Sequence, residues 1–318
     1  MFHRDVTWKT ILAQPTTWYK SPEAQKIAQN VLLYQHANGG WEKNLDMIQS
    51  PKTPPKETTI DNGATTTQLM FLARVGTPEC QAAALKAIDF LLAAQYPNGG
   101  WPQFWPLKKG YYTHITFNDD AMVGVLTVLR EIAQNTPNYA FVDGARQQKC
   151  AVAVTKGVAC TLKCQVVLQG KKTLWCAQHD EVTFAPAKAR AYELPSLSGS
   201  ESVNILRFLM GEKPTPALVD AIESGITWLK ANQLTGIRIE KQGDDKVVVR
   251  DLSAPPTWAR FYDLETRKPF FCGRDGIKKN SMAEIEKERR TGYSWYTNRG
   301  NQLLNEDYPT WKKRPHYH

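Results

Sequence analysis

The chain has 318 residues, 42% of them hydrophobic, with ten Trp, twelve Tyr and eleven Phe, ample for a sizeable core in one large domain or two. No stretch approaches the roughly 18 apolar residues of a membrane span, and the opening MFHRDVTWKTILAQPTTWYK has no apolar signal-peptide core. A formal charge of +9 favours a polyanionic partner, whether nucleic acid, anionic lipid or acidic polysaccharide. The basic residues form no single run and no nucleic-acid-binding module appears, so neither nucleic acid nor membrane is expected as the partner.

From the N-terminus onward, helical patterning dominates. Apolar positions recur near i, i+3, i+4 over 22–35, 64–75, 82–95, 119–133, 150–165, 199–210 and 217–231. Ser21-Pro22, Asp61 before NGATTTQLMFLA and Asp119 before DAMVGVLTVL have the form of helix starts. SPKTPPKE, NTPN and APP mark loops, because clustered proline cannot continue a helix. VVLQGKKTLWCA and IRIEKQGDDKVVVRDL are short hairpins by their alternation. After residue 235 the periodicity fades into an aromatic and basic segment, as loops over a site often do. None of the six cysteines forms a Cys-x-x-Cys pair; Cys176 and His179 would make only half a zinc site, with no second half evident.

One signature repeats. Asn38-Gly39-Gly40-Trp41 and Asn98-Gly99-Gly100-Trp101 each follow an apolar helical stretch ending in glutamine, and Trp41 lies 60 residues before Trp101. A degenerate third copy runs from Gln165 to Trp175. Self-similarity at this period indicates stacked helical hairpins. The expected fold is therefore mainly all-α: an α/α toroid of helical hairpins with irregular loops and a few short strands. Residues 1–318 are expected to form a single catalytic domain, with the hairpins over about 22–235 and a loop-rich segment over 236–318 completing the substrate site.

The repeat also serves as a ruler. Asp61 lies 20 residues after Trp41, Asp119 lies 18 after Trp101, and the matching interval from Trp175 falls on Arg190-Ala191-Tyr192-Glu193. Each aspartate alone would be read as a helix cap; their shared place in the repeat points to a site. Two carboxylates admit either a glycosidase acid/base pair or a hard-cation site, since calcium takes oxygen ligands and leaves positions open for a substrate carboxylate. Lys43, Lys108, Lys188, Arg190, Arg260 and Arg274 fall in aromatic-rich segments suited to sugar faces and anionic groups, which favours an acidic sugar chain. The bland alternative for Arg190 is an ion pair with Glu193.

The runs NGGWEKNLD, TTIDNGATTTQ, PNGGWPQFWPL, HITFNDDAM, LWCAQHD, AKARAYELPSLSGSES, WARFYDL, FCGRDG and ERRTGYSW together resemble polysaccharide lyase family 10, the pectate lyases, over roughly residues 25–300. The resemblance implies calcium-assisted β-elimination of polygalacturonate giving 4,5-unsaturated oligogalacturonides, on a toroid-like helical core. It makes Asp61 and Asp119 the calcium ligands and Arg190 the base that takes the C5 proton. Arg260 and Arg274 would hold substrate carboxylates, with Lys43, Lys108 and Asn62 as neighbours by motif adjacency. The implied cofactor is Ca²⁺ and the partner an acidic polysaccharide, acted on by a monomer outside the cytoplasm, in the periplasm or beyond the cell. Neighbouring Ca²⁺ and other cations are expected to lower the pKa of Arg190.

Three other readings compete. An inverting glycoside hydrolase using Asp61 and Asp119 would give saturated products, and a non-catalytic pectin-binding module would retain polygalacturonate without reaction. An isoprenoid cyclase would want an Asp-rich magnesium motif, which NDDAM does not supply.

Overall fold

The computed structural model describes residues 4–51 and 56–314, so the loop expected over SPKTPPKE falls partly outside the described residues. The chain divides into two compact units, Met1–Cys160 and Thr161–His318.

The first unit holds helices α1 (Arg4–Leu12), α2 (Pro22–Leu33), α3 (Thr66–Val75), α4 (Pro78–Ala94), α5 (Ala121–Ala133) and most of α6 (Gly144–Cys164). Local chemistry sets their starts. Proline occupies the first turn of α2 and α4, and the preceding Ser21 and Thr77 side chains accept from the amides of Ala24 and Cys80. α3 stops at Gly76, which is left-handed at φ 71°. Leu69, Phe71 and Leu72 on α3, Ile88 and Leu91 on α4 and Val125 and Leu129 on α5 are all buried.

The repeat seen in the sequence is a repeat of bonds. Gln35 Nε2 donates to the carbonyls of Gly39 and Ala83, each at 2.9 Å; Gln95 Nε2 donates to those of Gly99 (3.0 Å) and Ala153 (2.9 Å). Each glutamine thus closes its own turn and reaches a helix of the following repeat, α4 or α6. The Trp41 indole donates back to Val31 O at 2.9 Å and that of Trp101 to Leu91 O at 2.8 Å. Only glycine fits the turn between them. Gly39 and Gly99 both have φ +95°, and an added Cβ would lie 2.2 Å from Lys86 O or 2.1 Å from Lys156 O.

The second unit carries α7 (Glu201–Met210) and α8 (Pro216–Ala231), which pack together, and then short α9 (Lys287–Gly292), α10 (Arg299–Gln302) and α11 (Tyr308–Lys312). The third copy of the repeat is here in full chemistry: Gln165 Nε2 donates to Thr173 O and Ala221 O, both at 2.9 Å, and the Trp175 indole to Thr161 O at 2.7 Å. A fourth tryptophan without the glycine signature, Trp258, makes the analogous bond to Leu229 O at 2.9 Å. His179 belongs to this scaffold: its Nε2 accepts from the Cys176 amide at 3.0 Å and its Nδ1 bonds to Phe184 O at 2.8 Å.

The expectation of an all-α toroid is corrected. Helix accounts for 48% of the residues and strand for 12%. Antiparallel two-stranded sheets in the second unit pair Val167–Leu168 with Lys171–Lys172, Ile237–Gln242 with Asp245–Arg250, Trp258–Ala259 with Tyr296–Thr297, and Phe271–Cys272 with Lys278–Lys279. The first two are the hairpins expected from alternation. The others are pairs of two-residue strands, too short for any periodicity to show. They frame an aromatic core of Tyr192, Phe261, Phe270, Phe271, Met282 and Trp295, with Tyr293 packed against it. Within 236–300 these short antiparallel pairs alternate with turns around that core.

Candidate active site

In the first unit the expected aspartates sit on two matching turns. Asp61–Gly63 and Asn118–Asp120 are single 3₁₀ turns that pack against each other. Each is entered by a residue near φ −100° and then holds two residues at positive φ, the first being Asn62 (φ 51°, ψ 34°) or Asp119 (φ 50°, ψ 35°) and the second Gly63 (φ 72°) or Asp120 (φ 61°). The register is one residue off the sequence reading. Asp61 corresponds to Asn118, and Asn62 to Asp119. Neither aspartate starts its helix. The caps of α3 and α5 are Thr65 and Asp120, both at positive φ and neither making a side-chain cap bond. The capping explanation is thereby removed for both.

Asp61 is 3% exposed. Its Oδ2 accepts from Lys43 Nζ and, at 2.7 Å, from Gln103 Nε2, and its amide donates to Thr59 Oγ1 at 3.0 Å. Its Oδ1 is buried without a hydrogen-bond partner. Asp119, by contrast, is exposed, with Oδ2 accepting from Asn118 Nδ2 at 2.8 Å. Asn62 is exposed and donates to Asn44 Oδ1 at 3.0 Å. Lys43, Asn44, Asn62 and Asp119 line one cavity of about 370 Å³. Its carboxylate and amide oxygens are hard donors of the kind calcium takes. Lys108 is bonded to both oxygens of Glu57 (2.9 and 3.0 Å) and lies over Phe104 and Tyr112, 4.9 and 4.8 Å from their centroids. The Glu57 contact raises its pKa.

The arginines lie in the second unit. Arg190 is on a turn and forks onto Glu193, Nε to Oε2 at 2.8 Å and Nη2 to Oε1 at 2.7 Å. The ion pair weighed as its bland alternative is thus present. Hydrogen bonding to Glu193 raises the guanidinium above its ordinary value. Burial pushes the Glu193 carboxyl up, but the Arg190 bond and charge and the Tyr293 hydroxyl outweigh it, and the carboxyl stays below the usual range.

Arg260 is buried and donates from Nη2 to Glu201 Oε1 at 2.8 Å; its guanidinium carbon lies 4.4 Å from the Tyr293 ring centre. Arg274 is the most open of the three at 64% side-chain exposure, and forks onto Glu288 at 3.0 and 2.8 Å. Glu288 is held at about 2 by Arg274 and then Arg289.

The ruler fails in the third copy. The amides that donate to Trp41 O and Trp101 O are those of Thr59 and Thr116, and the amide donating to Trp175 O is that of Ser198. The counterpart of the aspartate turns therefore lies beyond Ser198, and Arg190 stands on extra chain inserted before it. Sequence reasoning also missed Gln103, Tyr293 and Glu201 as partners of Asp61, Glu193 and Arg260. Their only signal was residence in the runs PQFW, TGYSW and SGSES, which mark a neighbourhood and not a bond.

The family model described as pectic acid lyase matches residues 35–304. Among solved structures, an aspartate-to-alanine mutant of the family 10 polysaccharide lyase from Cellvibrio cellulosa, in complex with trigalacturonic acid, is 39% identical with a TM-score of 0.85, over 91% of this chain and 94% of that one. A second structure of the family 10 polysaccharide lyase from Cellvibrio cellulosa is 40% identical with a TM-score of 0.85, over 91% and 93%. No curated protein sequence matches. With a matching family model over most of its length and lyases of the same architecture at two-fifths identity, the chain belongs to the pectic acid lyase family, polysaccharide lyase family 10, and is an enzyme of that class.

Proposed function

We propose that this pectate lyase cleaves polygalacturonate by calcium-assisted anti β-elimination, with residues 1–318 acting as one catalytic domain. The observation that carries the reading is the family 10 lyase in complex with trigalacturonic acid. That relative supports an acidic galacturonide as the substrate here, and the +9 charge suits a polyanion. Asp61 and Asp119 would hold the calcium ion, with Asn62 beside them; the unpartnered Oδ1 of Asp61 and the exposed carboxylate of Asp119 fit a hard cation. A bound divalent ion neutralises a uronate carboxylate and so stabilises the charge that develops when the neighbouring C–H is broken.

The protein's own residues supply the rest. Arg190 takes the C5 proton in its neutral form. Because Glu193 raises its pKa, that form is scarce below strongly alkaline pH, and kcat/KM should rise with pH across the accessible range. Arg260 and Arg274 grip substrate carboxylates; Arg274 must exchange Glu288 for the substrate, a like-for-like swap of one forked carboxylate for another. Lys43 and Lys108 add positive charge beside Phe104, a face for a sugar ring. The inverting-hydrolase alternative would ask Asp61 to act as acid or base, yet that carboxylate is buried and bonded to Lys43 and Gln103. A polymeric substrate argues for action outside the cytoplasm, and among the described residues no helix is long and apolar enough to cross a membrane.

The deciding experiment follows ultraviolet absorbance of polygalacturonate with enzyme and calcium, then with EDTA. Absorbance from the 4,5-double bond should grow and stop on chelation. Saturated reducing ends without absorbance would mean hydrolysis, and growth that survives EDTA with an optimum near pH 5 would remove the calcium–arginine mechanism.

A further inference from the structure

The Arg190 guanidinium commits two of its three nitrogens to a single carboxylate. Nε and Nη2 fork onto Glu193, whose Oε2 also accepts the Arg190 amide at 3.1 Å. Such a fork fixes both the plane and the direction of the group. Among the described residues Nη1 has no hydrogen-bond partner, and the side chain is 47% exposed.

Glu193 is held in turn. It is buried, its Oε1 accepts the Tyr293 hydroxyl at 3.0 Å, and backbone bonds from Ala189 N to Glu193 O and from Glu193 N to Arg190 O close the turn. Tyr293 meets Tyr192 edge-on at 5.5 Å and is packed against the aromatic core.

We propose that Glu193 is the positioning residue of the base, turning Arg190 so that Nη1 is the atom that receives the C5 proton, and that Tyr293 locks Glu193 in that orientation. This rests on the reading of Arg190 as the base. In the step, the C5–H bond breaks and its proton goes to neutral Nη1. The electron pair forms C4=C5 as the C4–O4 bond breaks, and the departing oxygen takes a proton from water. The hydroxide left behind matches the proton gained by Arg190, so the enzyme returns to its starting state without a co-reactant.

Positioning and charge predict opposite signs. Arg190 faces the Glu193 carboxylate and the Tyr192 and Tyr293 rings, with Arg260 against Tyr293 and Arg289 against Tyr192. Glu193→Gln removes the negative charge among them, so Arg190 gives up its proton more easily and the neutral base becomes commoner at any given pH. If charge were the only role of Glu193, the variant would be faster. If Glu193 aims Nη1, the variant is slower although the rising limb of its pH profile moves to lower pH.

The test measures kcat and KM of the full chain with calcium on polygalacturonate from pH 7 to 11, by product absorbance. Glu193→Gln should lower kcat by about 100-fold, the cost of a misplacement near 1 Å, with KM little changed and the limb shifted to lower pH. Tyr293→Phe, which keeps the ring and loses one bond, should lower kcat several-fold. In an Arg190→Ala background Glu193→Gln should have no further effect. A Glu193→Gln kcat at or above wild type overturns the inference, as does a Glu193→Gln loss that multiplies that of Arg190→Ala. Unchanged kcat in Tyr293→Phe removes the lock. Arg190→Ala with near-wild-type turnover would instead remove the base reading, and this inference with it. Melting temperature and calcium-dependent trigalacturonate binding report folding in each variant, and should Glu193→Gln not fold, Tyr293→Phe alone decides.

Discussion

Two carboxylates a reader of the sequence would treat alike turn out to be different objects. Asp61 is buried under Lys43 and Gln103, and Asp119 is exposed one register position away. Removing Asp61 strands an ammonium and an amide that now point at it, so Asp61→Ala should damage both stability and turnover. Asp119→Ala should leave the melting temperature within about a degree or two, as surface changes do. It should also raise the calcium concentration for half-maximal activity by at least the roughly 10–100-fold that loss of a supporting group brings; titration with calcium-buffered assays checks this. Glu193 makes a separate prediction. Its folded pKa lies below its usual 4.5, so it stabilises the fold above about pH 4.5, and that contribution is lost as pH falls through the folded value. Melting temperatures between pH 6 and 2.5 should therefore fall less steeply in Glu193→Gln than in wild type. Arg190, Arg260 and Arg274 could be proposed from their motifs. Gln103, Glu201 and Tyr293 were not, because a hydrogen-bond partner 42 to 100 residues away leaves no periodic trace in the chain.

The starts of α2 and α8 were readable almost to the residue, since cap and proline act within one turn, whereas the pattern read from 82 missed the first turn of α4, which begins at Pro78. The aspartate turns misled for the opposite reason: Asn62, Thr65, Asp119 and Asp120 all hold positive φ, a conformation imposed by packing rather than by propensity. Two-residue strands such as Phe271–Cys272 exist only because their partners do. At this scale the glycine of the repeat is the sharpest test. Gly99→Ala combines a left-handed backbone with a Cβ 2.1 Å from a carbonyl oxygen and should cost about 2–4 kcal/mol. Gly170, also at positive φ but with nothing within 4 Å, should cost only about 1–2 kcal/mol as Ala. Equal losses in urea unfolding would show that the carbonyl contact adds nothing.

For the molecule as a whole, the excess of forty basic over thirty-one acidic residues acts at a distance that salt controls. KM for polygalacturonate should rise several-fold between about 20 and 200 mM salt while kcat changes little, since steering concerns encounter rather than the bond being broken; a salt-insensitive KM would assign binding to short contacts alone. The helical repeat was legible in the chain because glycine and tryptophan recur at fixed spacing. The mixed second unit was not, because its core is assembled from aromatic residues scattered between 192 and 296.

The glutamine bonds have a further consequence for how such a protein can change. Each closes its repeat upstream of the tryptophan, across a turn of four residues at Gln35 and Gln95 and of eight at Gln165. The chain between that tryptophan and the next helix is then a loop whose ends are already pinned, and doubling its length costs only about 0.6 kcal/mol. The stretch bearing Arg190 is such an enlarged loop. New side chains can enter there without renegotiating the frame, so divergence in substrate preference among enzymes built this way should be written in loop length after the tryptophans, while the glutamine, glycine and indole stay as they are.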